Sequence, residues 1–250
     1  MDCIFLTKHE ITRVRHELRR RLLTVSATER LSPQMQRITL TSPELHDFVS
    51  ASFDDHVKLI FPGNAETPEM REYTPRSFDT SGNTLVIDFA LHEAGPATAW
   101  AMDAKVGDTL QIGGPRGSAV IPDDFDWYVL IGDETALPAI GRRLEELRPG
   151  VPVASFVIGE AQQIATRTSW SAQWIARDGK ADDTALLQAA LDSYTLPPGE
   201  GFVWIAAEAQ VARSLRGYIT GARGHNKSWT KAAGYWTRGK ADTSEKSIED

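Results

Sequence analysis

The chain has 250 residues, a net charge of −7 and 41% hydrophobic residues, as expected of an ordinary globular protein of one or two domains. Its one cysteine, Cys3, excludes an internal disulfide framework and a cysteine-ligated iron–sulfur cluster, so any electrons it handles come from a diffusible donor. The acidic balance disfavours nonspecific nucleic-acid binding, the six histidines are scattered without metal-ligand spacing, and no apolar run approaches the ~18 residues of a membrane span.

Residues 1–21 read as a polar, basic leader with some helical tendency, carrying the run Arg13–Arg21. A phosphate-binding arm and a solvated helix face both fit that run. The first residues lack the basic start and long apolar region of a signal peptide, so a cytoplasmic location is expected. From Leu22 the pattern changes. Residues 23–28 and 35–41 alternate apolar and polar, as half-buried strands do. Ser42-Pro43 opens a short helix with a Ser cap and Pro at its first position. Further strands follow at 56–61, ended by Pro62-Gly63, at 84–91, at 109–113 and at 117–121. Many short strands with Gly/Pro turns predict an antiparallel barrel or sandwich over residues 22–124.

Near Pro122–Asp126 the rhythm switches. Trp127–Gly132 is a continuous apolar run, typical of a strand buried on both faces. Strands at 151–158, 172–177 and 202–207 alternate with helices at 136–148, 182–191 and 208–221. This predicts a parallel sheet covered by helices over residues 125–239. Residues from 240 to 250 read as a mobile polar tail.

Two stretches carry candidate chemistry. In Arg71-Glu72-Tyr73-Thr74-Pro75-Arg76, an extended backbone places Arg71 and Tyr73 on one face. A guanidinium can clamp a phosphate, a tyrosine ring can cover a flat heterocycle, and a threonine can hydrogen-bond its edge. A surface strand ending in a Pro turn accounts for the same six residues. In His92–Trp100, Gly95-Pro96 begins a short helix whose backbone N–H groups suit phosphate oxygens, with small residues Gly95, Ala97 and Ala99 and the Thr98 hydroxyl nearby. An ordinary helix N-terminus beneath a barrel is the alternative.

These stretches belong to an ordered set: Arg71-x-Tyr73-Thr74, then His92-x-x-Gly95-Pro96-Ala97-Thr98-x-Trp100-Ala101, then Gly114-Pro115-Arg116-Gly117-Ser118. Asp133-Glu134-Thr135-Ala136-Leu137-Pro138-Ala139-Ile140 and Gly234-Tyr235-Trp236 complete it. Together with Phe53–Leu59, the set resembles the siderophore-interacting proteins, the flavin-dependent ferric-siderophore reductases, over about residues 20–239. The resemblance implies a ferredoxin-reductase-like fold, with FAD in the N-terminal barrel and NADPH or NADH brought by the C-terminal domain. It places Arg71, Tyr73 and Thr74 on the isoalloxazine and ribityl-phosphate side. It places His92, Ala97, Thr98 and Trp100 on the pyrophosphate and adenylate side, and Asp133, Glu134 and Thr135 at the domain junction. The implied cofactor-binding set also takes in Asp88, Glu208 and Trp236.

Two departures stand out. Only Gly132 occupies the place of a Gly-rich loop after the first parallel strand, and Ala207 precedes Glu208 where the family commonly shows Gly-Glu. Ferric siderophores are often anionic, so a globally acidic protein needs local cations to hold them. Lys58, Arg76, Arg116 and Arg238 are the candidates. The reaction implied is hydride transfer from nicotinamide to flavin, then single electrons to Fe(III), with the cofactor carrying the chemistry. A reduced ferredoxin is an alternative donor. Two other readings stay open: a siderophore-binding flavoprotein without turnover, and a general flavin reductase.

Overall fold

In the computed structural model, the described residues are 8–61, 68–91, 95–177, 182–240, 243–245 and 247–248. The N-terminal half contains β1 (Thr12–Arg15), β2 (Arg20–Ser32), β3 (Met35–Thr41), β4 (Val57–Phe61), β5 (Glu69–Tyr73), β6 (Pro75–Asp79) and β7 (Thr84–Ala90). Helix α1 (Pro96–Asp103) then leads to β8 (Thr109–Gly113) and β9 (Gly117–Val120). Among the described residues seven of these strands form one antiparallel sheet, ordered β5-β4-β8-β2-β3-β7-β6. Its outermost strands, β5 and β6, are joined through the single residue Thr74. A sheet whose two edges are linked by one residue has to roll until they meet, so it curls into an open barrel with Thr74 at the seam.

Alternation decides which side is core. In β3, Ile38 and Leu40 are buried, and in β7 Leu85, Ile87 and Phe89 face the same interior. With Leu23, Val25, Val57, Leu59, Leu110 and Ile112 they form the barrel core, closed at one end by Ala97 and Ala101 of α1. The 3-10 turn at Pro43–Leu45 is capped as predicted, the Ser42 hydroxyl accepting from the Glu44 N–H at 3.3 Å.

The C-terminal half runs β10 (Trp127–Asp133), α2 (Leu137–Glu146), β11 (Pro152–Ile158), β12 (Ser169–Ile175), α3 (Asp183–Asp192), β13 (Gly201–Glu208), α4 (Ala209–Gly217) and β14 (Thr230–Trp236). The five strands pair in parallel in the order β12-β11-β10-β13-β14. Every residue of β10 and β13 is buried, which explains their unbroken apolar composition. No helix among the described residues is long and apolar enough to cross a membrane.

Helix α2 packs on both domains, so nearly all of it is buried, arginines included. Arg142 donates to the Ser50 hydroxyl and carbonyl at 2.8 Å each and to Pro75 O at 3.2 Å. Gly141 lets the Arg76 guanidinium lie flat on the helix, since a Cβ there would sit 3.0 Å from Arg76 Nε.

The predicted leader and tail are corrected. Residues 12–15 are not helical but extend as β1 along β9. Farther out, the buried His9 ring stacks on Phe125 at 3.9 Å and meets Asp124 at 2.7 Å and Glu200 at 3.1 Å. The described residues of the tail return to β14: Glu245 and Gly234 exchange two backbone hydrogen bonds at 2.7 and 2.9 Å, and the buried Ile248 donates to Ala232 O at 2.9 Å. Strand β14 itself was not predicted. Its sequence, Thr-Lys-Ala-Ala-Gly-Tyr-Trp, lacks the β-branched run that marked the other parallel strands.

Candidate functional site

The seam of the barrel opens on a cavity of about 330 Å³ between the two domains. One wall is the end of β5: Arg71, Glu72 and Tyr73, followed by Thr74. The floor is Asp88 and Ala90 of β7, and the far end is the start of α1, with Gly95, Ala97 and Thr98. The opposite wall comes from the α/β domain: Thr135 and Pro138 where α2 begins, Tyr235 and Trp236 at the end of β14, and Lys240, Thr243 and Ser244 of the tail. The Ser244 hydroxyl donates to Glu72 at 2.7 Å, linking the tail to the barrel wall. His56 completes the rim, its ring edge-on to Tyr235 at 4.9 Å.

The two sequence stretches meet here. Tyr73 is half-buried with its ring 4.5 Å from Phe89, and burial pushes its hydroxyl well above the usual tyrosine range. Arg71 is half-buried, donates to Met70 O at 2.8 Å, lies 3.7 Å from Glu69 and lines the cavity. The α1 N-terminus has Gly95 as its cap with no side-chain hydrogen bond; Pro96 has no N–H and the Ala99 N–H donates to Gly95 O at 2.9 Å, so the donors it offers a ligand are the Ala97 and Thr98 N–H groups. A Cβ on Gly95 would meet nothing within 4 Å. An open helix terminus and a guanidinium suit a pyrophosphate, and the Tyr73 ring suits a flat heterocycle. The donor set fits a flavin dinucleotide. His92, also expected at this end, lies outside the described residues.

Asp133 sits behind the α/β wall, 1% exposed, at the carboxyl end of β10. Its Oδ1 accepts from the Thr135 N–H at 2.9 Å and hydroxyl at 2.5 Å. Its Oδ2 accepts from the Trp236 indole at 2.9 Å and the Glu208 N–H at 3.2 Å. Burial, then the neighbouring Glu134 carboxylate, pushes its pKa up against these hydrogen bonds. Asp133 therefore holds Thr135 and Trp236 in place, and those two face the cavity. Gly132 before it serves packing. A Cβ there would fall 2.3 Å from Ala206 O and 2.4 Å from Ala136 Cβ, so the glycine lets the strand and the following turn touch.

Several of the expected site residues are engaged by other side chains. Arg76 does not line the cavity. It forms a two-point ion pair with Glu145 of α2 at 2.7 and 2.5 Å and approaches Asp88 at 3.8 Å, so it ties the domains together and is spent as a chelate ligand. Asp88 reaches the cavity floor, but its carboxylate is held by Arg37 at 2.7 and 2.8 Å. Glu134 pairs with Arg177 at 2.8 Å, and Arg177 also binds Asp183. Glu208 caps α4, accepting from Gln210 and Val211 N–H groups, while its other oxygen accepts from Arg238 N at 3.1 Å. Trp100 packs on Phe61 and Phe89, each 5.8 Å away, outside the cavity. Lys58, Arg116 and Arg238 are exposed, and no side-chain hydrogen bond or ion pair engages them among the described residues.

The sequence did not single out Asp54. Its buried carboxylate accepts from the Trp204 indole at 2.9 Å and pairs with Lys231 at 2.6 Å, spanning the domain junction beneath His56 and Tyr235. Burial raises its pKa, but the Lys231 ammonium and the hydrogen bonds from Lys231, Trp204 and Ser52 outweigh that and hold it below the usual carboxylate range. The sequence signal was present in the acidic pair Asp54-Asp55 before a strand, but its cation lies 177 positions away.

Comparison with known proteins places this geometry. The siderophore-interacting protein family matches residues 125–239, and the siderophore-interacting FAD-binding domain matches residues 24–69 and 62–119. The chain is 36% identical to the NADPH-dependent ferric-chelate reductase of Escherichia coli (strain K12), covering 90% of this chain and 95% of that one. It is 26% identical to the ferric vibriobactin reductase of Vibrio cholerae, covering 88% and 90% of the two chains. The crystal structure of a siderophore utilization protein from T. fusca superposes with a TM-score of 0.85 at 35% identity, covering 94% of this chain and 98% of that one. The architecture, an antiparallel barrel followed by a five-stranded parallel sheet, is the ferredoxin-reductase-like one expected.

Proposed function

The chain belongs to the siderophore-interacting protein family, and from that premise we propose that it reduces ferric siderophores with NADPH through bound FAD. The observation that carries this reading is the cavity between the domains, which joins a flavin-suited seam to the carboxyl end of a nucleotide-binding sheet. FAD, when bound, supplies the link between hydride and one-electron chemistry. The balance is one NADPH oxidised to NADP⁺ and a proton for each two Fe(III) reduced to Fe(II). Fe(II) suits the hard oxygen donors of a siderophore less well and is released.

The chain contributes binding and orientation. Arg71 and the open α1 N-terminus at Gly95, Ala97 and Thr98 hold the phosphates, and the family resemblance adds His92 to that set. Tyr73 covers the flat ring and Thr74 bonds its edge. Thr135 and Trp236, fixed by Asp133, form the nicotinamide side. Lys58, Arg116 and Arg238 receive the anionic chelate. The domains run 22–124 for FAD and 125–239 for NADPH, and the protein works in the cytoplasm. Reduced ferredoxin is the alternative donor.

Steady-state turnover tests this reading: NADPH consumption with a ferric siderophore and a ferrous-specific chromophore should give two Fe(II) per NADPH. NADPH oxidation that needs only free FMN or FAD, with no iron trapped, would favour a general flavin reductase. Replacing NADPH by NADH or by reduced ferredoxin in the same assay identifies the donor.

A further inference from the structure

The basic run Arg19-Arg20-Arg21 is split by strand alternation. Arg21 is 6% exposed and is bonded to Asp47 at 2.9 Å and Glu44 O at 2.8 Å. Arg19 is neutralised by Glu17 and Asp47. Arg20 points to the other side of β2. It is exposed, and among the described residues no hydrogen bond or ion pair holds its side chain.

Register shows what Arg20 faces. Arg20 is paired with Gly113 of β8, and Gly113 is paired on its other side with Lys58 of β4. Directly opposed residues share a sheet face, so Arg20 and Lys58 project together from one rung, two strand spacings or about 10 Å apart. Between them is a residue without a side chain. Gly113 needs no glycine for its own backbone, since its φ lies outside the left-handed region and a Cβ would meet nothing within 4 Å. Gly113 closes β8 just before the Gly114-Pro115 turn, and with no side chain of its own it leaves the backbone between Arg20 and Lys58 open to approach.

This rung adjoins the cavity. Lys58 is opposed by Glu72, which lines it. His56, two residues before Lys58 and immediately ahead of β4, stands on the cavity rim. Arg116 follows three residues after Gly113, also exposed and without a side-chain partner among the described residues.

We infer that Arg20, Gly113 and Lys58 form an anion shelf on the barrel's outer face, and that the shelf selects chelates by charge. The glycine is its floor, and Arg20 is a specificity-determining residue that seats the outer half of a polyanionic ferric chelate while the inner half meets the cavity rim. The inference rests on the reductase reading for the identity of its ligand, but its test is binding rather than turnover.

The test titrates oxidised holoprotein with a trianionic ferric tris-catecholate and, separately, with an uncharged ferric trihydroxamate, following quenching of tryptophan fluorescence. Arg20→Glu should weaken tris-catecholate binding at least about fivefold, the equivalent of one exposed charge pair, and leave trihydroxamate binding unchanged. Gly113→Val, which a strand accepts, should weaken both chelates by filling the floor, with an unaltered unfolding midpoint. A wild-type dissociation constant for the tris-catecholate that Arg20→Glu leaves unmoved would overturn the shelf, as would absence of tris-catecholate binding. Normal chelate binding that responds to both substitutions, in a protein that NADPH cannot drive to release Fe(II), would leave the shelf standing and defeat the reductase reading.

Discussion

Charged residues at the domain junction and on the barrel's outer face have opposite fates. At the junction, Arg76, Asp88, Asp54, Lys231 and Asp133 are withdrawn from water, or nearly so, and each is held at hydrogen-bond or ion-pair distance. On the outer face, Arg20, Lys58 and Arg116 are exposed and have no side-chain partner among the described residues, as is also true of Arg238 just past β14. Removing one member of a buried pair strands the other in low dielectric, whereas an exposed cation loses little by waiting in water. The first set fixes the cavity and the second is free to meet an anion. Stability and substrate affinity should therefore respond to different substitutions.

The largest effect is expected at Asp54. Asp54→Asn removes the partner of Lys231 across the domain junction and should cost about 3 kcal/mol in denaturant unfolding. Because the folded-state pKa of Asp54 is depressed, its contribution is complete above the ordinary aspartate range and disappears as pH falls below it. The parent protein should lose stability with acidification in that window, and the variant should lose this component of the slope.

Arg76→Ala comes next, with an expected loss of about 2 kcal/mol from the severed Glu145 tie. Its KM for ferric chelate should stay within twofold of the parent's, roughly the noise of such assays. A large KM increase at unchanged stability would return Arg76 to the substrate set. Asp133→Asn cannot accept from both Thr135 and Trp236 in the same way, so the cavity wall should loosen. A fall of about tenfold in kcat/KM for NADPH is expected, with the ferric-chelate dissociation constant unchanged.

Lys58→Ala and Arg116→Ala should give the smallest effects, about fivefold each in KM for an anionic chelate, with unfolding midpoints untouched. Because these charges are exposed, the increase should shrink as salt is raised. A shift in the unfolding midpoint as large as that of Arg76→Ala would dissolve the distinction between the two sets.

How much of this was legible in the sequence follows the same division. The buried strands of the parallel sheet and the alternating barrel strands announced themselves because local pattern sets their burial. Strand β14 did not, since its place is set by β13 beside it rather than by its own Lys, Ala and Gly residues. Arg71, Tyr73, Thr74, Ala97 and Thr98 were found from their short motifs, and the fold brings them around one cavity. Arg76 looked equivalent to Lys58 in sequence, each a cation in a strand. Only the packing of α2, with Gly141 opening room for the guanidinium, separates them. The role of Asp133 was equally hidden, because its partner Trp236 lies 103 residues later.

The central claim is that the cavity couples NADPH to a ferric chelate through FAD. Its most direct test is a single anaerobic spectral experiment on the purified protein. The account predicts a flavin absorbance that NADPH bleaches and that a stoichiometric ferric siderophore then restores, with Fe(II) appearing in a ferrous trap. A protein without flavin absorbance, or a bleached flavin that ferric siderophores fail to reoxidise, would contradict it.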